Sequence, residues 1–230
     1  MEQISNTEWL DETLPRSPRF GDTYYSKTDG LAESRHVFLA GNHLPQRFAA
    51  LVPGKTFTIA ETGFGTGLNF LATLELWRET APAGAELAFH SFELYPLTRQ
   101  EIARALSRWP ELALPAGPLL AAWNPQGDGF EYRDGKVALT VHFGDANAWL
   151  PRLEIIADAW FLDGFSPAKN PELWNADLLQ AVHDRTVPGG TFATYTAAGW
   201  VRRNLAAAGF AVTRLPGHGG KREMMAGRKG

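Results

Sequence analysis

Four stretches of the chain carry residue types and spacings that can do chemistry. Glu61-Thr-Gly-Phe-Gly-Thr-Gly67 sets glycines at 63, 65 and 67 directly behind an acid. Glycine lets a backbone turn tightly and lets a ligand approach the main chain. The spacing is not a nicotinamide fingerprint, which needs glycine where Leu68 stands, nor a Walker A loop, which needs Gly-Lys-Ser/Thr. Three further acids follow, at Glu93, at Asp145 and at Asp163 in Asp163-Gly-Phe-Ser-Pro167. An ionised Glu93 can accept both hydroxyl hydrogens of a ribose and repels a phosphate there, against an NADP site. Asp145 suits either an adenine amino group or the cap of a short helix. Glu61 can take the amino group of an amino-acid moiety, directly or through water. A ligand with ribose, adenine and a cationic amino-acid tail but no phosphate is S-adenosylmethionine. Acids at 61, 93 and 145 suit its ammonium and sulfonium groups.

Asp163 followed by an aromatic, Phe165, resembles the Asp/Asn-Pro-Pro-Tyr/Phe motif of N-methyltransferases. Methyl transfer from a sulfonium is an in-line displacement, so an acceptor nitrogen needs a free lone pair. An alkyl amine of pKa about 10 is mostly protonated at neutral pH, and a carboxylate beside it can take or direct its proton. Phe165 packs on a base or lines the pocket. The chain has no cysteine. That removes thiol-assisted carbon methylation, cysteine-held clusters, cysteine-ligated zinc and disulfides, leaving a nitrogen or oxygen acceptor. The histidines show no metal-binding spacing, and no metal is expected.

These residues must be positioned by regular elements. Apolar, β-rich runs predict strands at 56–62, 86–93, 137–143, 157–162, 190–195, 210–214 and 223–226, with a short strand at 22–26. Helical spacing falls at 68–77, 97–109, 172–184 and 199–208, and Asn42 is placed to cap a helix over 43–51. Asp134-Gly135 predicts a hairpin tip, while 110–128, rich in Ala, Pro and Gly, has no clear assignment. Alternating strands and helices, with strands apolar on both faces, predict an α/β fold with a mostly parallel sheet and helices on both sides. Every candidate acid then stands at the end of a strand or just past it, at the sheet edge where such folds bind ligands. Residues 1–55 read as an amino-terminal extension packing on a catalytic domain at 56–230.

The 230 residues are 44% hydrophobic and 20% charged, a globular composition. The formal net charge of −3 excludes a uniformly basic nucleic-acid binder. It divides unevenly: residues 199–230 carry seven Lys or Arg against Glu223 alone, for +6. That end is either a phosphate-binding face or a solvated tail. The opening Met-Glu-Gln-Ile-Ser-Asn resembles no secretory leader, and no apolar run approaches the roughly 20 residues that span a bilayer. A cytoplasmic protein is expected.

Phe20-Gly-Asp-Thr-Tyr-Tyr-Ser26, Gly30-Leu-Ala-Glu-Ser-Arg-His-Val-Phe-Leu-Ala-Gly-Asn42, the glycine stretch through Asn69-Phe70, Leu162-Asp-Gly-Phe-Ser-Pro-Ala-Lys-Asn-Pro-Glu-Leu-Trp174 and Lys221-Arg-Glu-Met-Met225 together resemble the methyltransferase half of the MnmC family. The resemblance runs over roughly residues 18–228. It implies a Rossmann-like S-adenosylmethionine-dependent methyltransferase that converts 5-aminomethyl-2-thiouridine at the tRNA wobble position to its methylaminomethyl form. By the same resemblance Glu61, Gly63, Gly65, Gly67 and Asn69 form the cofactor loop, with Glu93 on the ribose and Asp145 nearby. Asp163 and Phe165 stand at the reaction centre, Asp163 also against the donor. Tyr24, Glu33 and Asn42 line the same pocket. Tyr24, Lys169, Arg202, Arg203, Lys221 and Arg222 are expected to meet the tRNA anticodon loop. The family also implies a fused or separate FAD-dependent oxidoreductase as partner. FAD itself is not expected in the chain read here, since residues 63–67 lack its fingerprint and the sequence stops at Gly230. Two other readings stand beside this one: a small-molecule N-methyltransferase, and a non-catalytic nucleic-acid-binding module.

Overall fold

A computed structural model describes residues 7–230. The opening six residues, on which the leader reading rests, lie outside the described residues. An eight-stranded sheet forms the centre, built from β4 (Thr56–Glu61), β5 (Glu86–Glu93), β6 (Gly129–Asp134), β7 (Val137–Phe143), β8 (Ala157–Phe161), β9 (Thr186–Thr194), β10 (Phe210–Pro216) and β11 (Glu223–Lys229). Across the sheet the order is β10-β11-β9-β8-β4-β5-β7-β6. The five central strands β7, β5, β4, β8 and β9 run parallel, while β6, β11 and β10 pair antiparallel at the two flanks. Strand order reverses between β4 and β8, which is the switch point where doubly wound sheets open a ligand crevice.

Alternation along the central strands puts successive side chains on opposite faces. Ile59 and Phe161 enter one apolar cluster, with Phe70, Leu74, Ile102 and Leu119. Their neighbours Ala60 and Trp160 enter a second, with Leu178, Val182, Val201 and Leu205. The first face is covered by α3 (Leu68–Thr80), α4 (Arg99–Leu106) and α5 (Ala113–Ala122), and the second by α6 (Ala146–Trp149), α7 (Ala176–Asp184) and α8 (Gly199–Ala208). This is the Rossmann-like arrangement expected from the sequence.

Three differences from the expected elements have local causes. The unassigned stretch holds α5 despite Pro118 inside it, because burying Leu112, Ala116, Leu119 and Trp123 outweighs a missing backbone donor. The helix expected over 97–109 is Arg99–Leu106, started by a capping box between Thr98 and Glu101. Asn42 caps nothing. The helix α2 (Leu44–Ala49) begins after His43 at φ 55°, with no side-chain cap.

The residues ahead of β4 form a small antiparallel sheet, β1 (Glu8–Trp9), β2 (Pro15–Ser17) and β3 (Asp22–Thr23), then α1 (Gly30–Ser34), a π-helical turn Arg35–Ala40 and α2. Leu14, Tyr25, Leu31, Phe38 and Phe48 join the same apolar cluster as Ile59 and Phe70. Tyr25 also donates its hydroxyl to the Thr13 carbonyl at 2.6 Å.

Candidate active site

At the carboxyl ends of β4, β5, β7 and β8 the chain encloses a cavity of about 820 Å³. Its floor is the glycine loop. Phe64 is buried against Trp123, rings 5.1 Å apart and nearly parallel, and Phe64 N–H donates to the Phe92 carbonyl at 3.1 Å. The turn closes with Gly67 at φ 74° starting α3, where a Cβ would come 2.9 Å from the Phe64 ring. Gly65, at φ 53°, donates its N–H to Glu93 Oε2 at 2.8 Å. Glu93 Oε1 accepts from Tyr95 N–H at 2.8 Å. The carboxylate at the end of β5 is therefore locked in place, and each oxygen keeps lone-pair capacity toward the cavity. Burial pushes its pKa up, and the backbone donors pull it back.

Asp163 stands just past β8, beside the loop leaving β4. The backbone there is stitched by Thr62, whose hydroxyl donates to the Asp163 carbonyl at 2.6 Å and accepts from the Asp163 N–H at 3.0 Å. The side chain is fixed on both oxygens, Oδ2 by Asn69 Nδ2 at 2.8 Å and Oδ1 by Gly164 N–H at 2.8 Å. Burial pushes its pKa up to about 6, the two hydrogen bonds oppose this, Glu33 adds to it and Lys221 relieves it.

Behind that wall lies a layer the sequence reading put inside the pocket. Glu61 is fully buried and does not line the cavity. Its Oε1 accepts from Asn69 Nδ2 at 2.8 Å, and Oε2 lies 2.6 Å from the Ser91 hydroxyl. Burial pushes its pKa up to about 8, so at neutral pH it is largely the neutral acid. Asn69 thus gives one amide hydrogen to Glu61 and the other to Asp163, while its carbonyl accepts from Ser34 at 2.6 Å.

The remaining wall comes from the amino-terminal segment. Phe20 stacks on Phe165 at 4.7 Å and Tyr24 meets Phe165 edge-on at 5.1 Å. Asp22 holds the β8 loop, accepting from Ser166 N–H at 2.9 Å and pairing with Lys169 Nζ at 3.0 Å. Tyr195, after β9, donates to the Gly164 carbonyl at 2.8 Å.

The structure brings Gly63, Gly65, Asn69, Glu93, Asp145, Asp163, Phe165, Tyr24, Glu33, Lys169 and Lys221 to one cavity. Asp145 does cap α6, accepting from Asn147 N–H at 2.9 Å. Gly67 shapes the turn from outside the lining. Asn42 departs from expectation: it is buried away from the cavity, bonding the Phe38 and Trp160 carbonyls and Thr191. Lys169 is engaged with Asp22 and the Gly21 carbonyl. Arg202, Arg203 and Arg222 are exposed and do not line the cavity. Asp22, Ser34, Ser91, Thr62 and Tyr195 escaped the sequence reading. Of these, Asp22, Ser34 and Thr62 lie inside the motif strings quoted above and Tyr195 ends a predicted strand, whereas Ser91, inside the β5 run, carried no signal of its own. Among the described residues no group of three or more His, Asp or Glu is placed to hold a metal.

The donor set suits an adenosyl sulfonium. A ribose-competent carboxylate ends β5, a close-approach glycine loop lies beside it, and acids face the space with aromatic rings opposite. Residues 116–230 match the family described as S-adenosyl-L-methionine-dependent methyltransferase, which is half of the chain. The chain belongs to that family. It is 49% identical over 223 residues to the tRNA 5-methylaminomethyl-2-thiouridine biosynthesis bifunctional protein MnmC of Pseudomonas fluorescens, covering 96% of this chain and 34% of that protein. It is 50% identical over 222 residues to the protein of the same name from Chromobacterium violaceum, covering 95% of this chain and again 34% of the relative. The chain thus spans about a third of the length of these relatives. Among solved structures it resembles the crystal structure of MNMC2 from Aquifex aeolicus, with a TM-score of 0.76 and 26% identity over 97% of this chain and 70% of that one.

Proposed function

We propose that this methyltransferase modifies tRNA, moving the methyl group of S-adenosylmethionine to the exocyclic primary amine of 5-aminomethyl-2-thiouridine at the wobble position. The names of the relatives carry the methylated product of that step, 5-methylaminomethyl-2-thiouridine in tRNA. The observation in this molecule that carries the reading is Asp163, doubly anchored at the switch point and facing an aromatic-walled cavity large enough for a nucleoside beside the donor. S-adenosylmethionine supplies an electrophilic methyl carbon on a sulfonium. Glu93 and the backbone of residues 63–65 would hold its adenosyl end. Asp163, ionised above pH about 6, accepts a hydrogen bond from the amine and directs its lone pair. It also gives the departing proton a route to solvent. With the donor bound, that lone pair would take the methyl carbon while the carbon–sulfur electron pair left with a neutral thioether. Positioning supplies much of the acceleration.

The wobble base must leave the anticodon stack to reach this depth, as bases in single-stranded loops do. Phe165, Phe20 and Tyr24 offer the rings to receive it. Residues before 56 act as a fixed wall of the site. Exposed Arg202, Arg203 and Arg222 are proposed phosphate contacts. An oxidoreductase partner, fused or separate, is proposed as the second activity of the relatives named bifunctional, and a cytoplasmic setting is proposed with tRNA as substrate. No helix among the described residues is long and apolar enough to cross a membrane. The test is incubation with labelled donor and tRNA lacking the final methyl group, followed by nucleoside analysis. Label in 5-methylaminomethyl-2-thiouridine supports the proposal. Label only in a small-molecule amine, or none, rejects it.

A further inference from the structure

The turn between β10 and β11 reaches back over the cavity and delivers Lys221 to it. The Lys221 Nζ lies 2.8 Å from Glu33 Oε1, an ion-pair contact, and 4.0 Å from the centre of the Tyr195 ring. Glu33 and Tyr195 both line the cavity that Asp163 faces. The Glu33 side chain is only 11% exposed, whereas that of Lys221 is 39% exposed. A largely buried carboxylate beside an aromatic face is a niche for a primary ammonium. Lys221 brings that same group, an unhindered CH2–NH3+ on a flexible stem. The turn that carries it is Gly217-His-Gly-Gly-Lys221, with Gly219 and Gly220 at φ 60° and 88°. Such a segment moves at little conformational cost. The niche and Asp163 are also electrostatic neighbours, since Glu33 and Lys221 shift the Asp163 carboxyl in opposite directions.

We propose that Glu33 and the face of Tyr195 form the subsite that receives the substrate's primary ammonium, with Lys221 holding that subsite until the amine displaces it. The inference rests on the amine-acceptor reading above and gives Glu33 a binding role beside Asp163. Exchange of one ammonium for another keeps the Glu33 charge paired throughout. Leaving Glu33 unpaired would strand a buried charge. The displaced Lys221 becomes available to the RNA backbone.

The nucleoside 5-aminomethyluridine carries the amine without phosphates, so it separates the niche from any RNA contact of Lys221. Methyl transfer to it, and to a modified anticodon stem-loop, is measured at saturating donor for the unaltered chain, Lys221→Met, Glu33→Gln and Glu33→Asp. Donor Kd is measured for each variant as the check on folding. On the nucleoside, Lys221→Met should lower KM about three- to tenfold, because the site is no longer closed by its own side chain. Glu33→Gln should raise KM about tenfold or more on both substrates, with Glu33→Asp between. Donor Kd should stay within about twofold, as Glu93 and the glycine loop, the groups assigned to the adenosyl end, are unaltered in each variant. An unchanged or raised nucleoside KM in Lys221→Met, or an unchanged KM in Glu33→Gln, overturns the subsite while leaving the methyltransferase reading intact. If Glu33→Gln loses donor binding through misfolding, the Lys221→Met arm decides. If only the stem-loop is turned over, the Glu33→Gln arm decides. If the unaltered chain methylates neither substrate, the amine-acceptor reading falls and the subsite with it.

Discussion

Burial raises the pKa values of three acids of the site, Glu61, Glu93 and Asp163, and Glu61 and Asp163 do different work. Glu61 is neutral at pH 7 and takes part in a closed network with Asn69 and Ser91. In the unfolded chain it ionises near 4.5, so between that value and about 8 the folded state holds one extra proton. Stability from this group is fully present below pH 4.5 and is lost as pH rises toward 8, by about 1.4 kcal/mol per pH unit at most. Glu61→Gln is a neutral isostere that can still accept from Asn69 and donate to Ser91. Denaturant unfolding across pH 5–9 should show this slope in the unaltered chain and a flatter one in the variant. Asp163 sits at about 6, so kcat/KM should fall as pH drops through 6, and Asp163→Asn should lack that limb in a pH–rate profile. The sequence revealed that Glu61, Glu93, Asp145 and Asp163 each stand at the end of a strand or just past it. It did not reveal depth. Glu61 is the last residue of β4, and whether it meets ligand or packs beneath is decided by Asn69 on α3 closing over it.

At the scale of elements, the parallel core and its crevice were legible because each central strand is an apolar run followed by an acid or a glycine turn. Less legible were elements whose propensity and packing disagree. Residues 113–122 contain Pro115, Gly117 and Pro118, yet are helical because Leu119 and Trp123 find buried places. Trp123 then supports Phe64, and through it the glycine loop. Nothing local in the sequence links 64 with 123. The loop gives a sharp test of this support. At Gly67 the backbone is left-handed and a side chain would meet Phe64. Gly67→Ala should cost about 1–2 kcal/mol in unfolding free energy and weaken donor binding, read by denaturation and by titration with donor. Full stability and donor affinity in that variant would separate the turn from donor binding. The amino-terminal segment was expected to pack on the catalytic unit. The anchoring of the β8 loop by Asp22 was not visible, because Ser166 and Lys169 lie more than 140 positions away along the chain.

For the molecule as a whole, charge is the organising feature. The basic excess in residues 199–230 is not one patch. Lys229 is bonded to the His183 and Thr186 carbonyls and Arg228 to the Gly189 carbonyl, at the far end of β9 from the cavity. Lys221 lines the cavity with Arg222 next to it just ahead of β11, and Arg202 and Arg203 lie in the first half of α8, the helix that follows the cavity end of β9. The average composition concealed this division, which depends on the antiparallel pairing of β11 with β9. If these side chains meet phosphates, log Kd for tRNA should rise linearly with log salt, and Arg202→Ala with Arg203→Ala should reduce the slope by about 0.7–0.9 for each phosphate no longer neutralised. Equal slopes by filter binding would remove these arginines from the RNA face. Methyl transfer in this site turns on a carboxylate beside the accepting nitrogen. Its most direct test is single-turnover methylation of tRNA bearing the unmethylated wobble amine, comparing the unaltered chain with Asp163→Asn, both with donor bound. The rate should be about a hundredfold lower in the variant, with donor Kd within about twofold. Equal rates would contradict it.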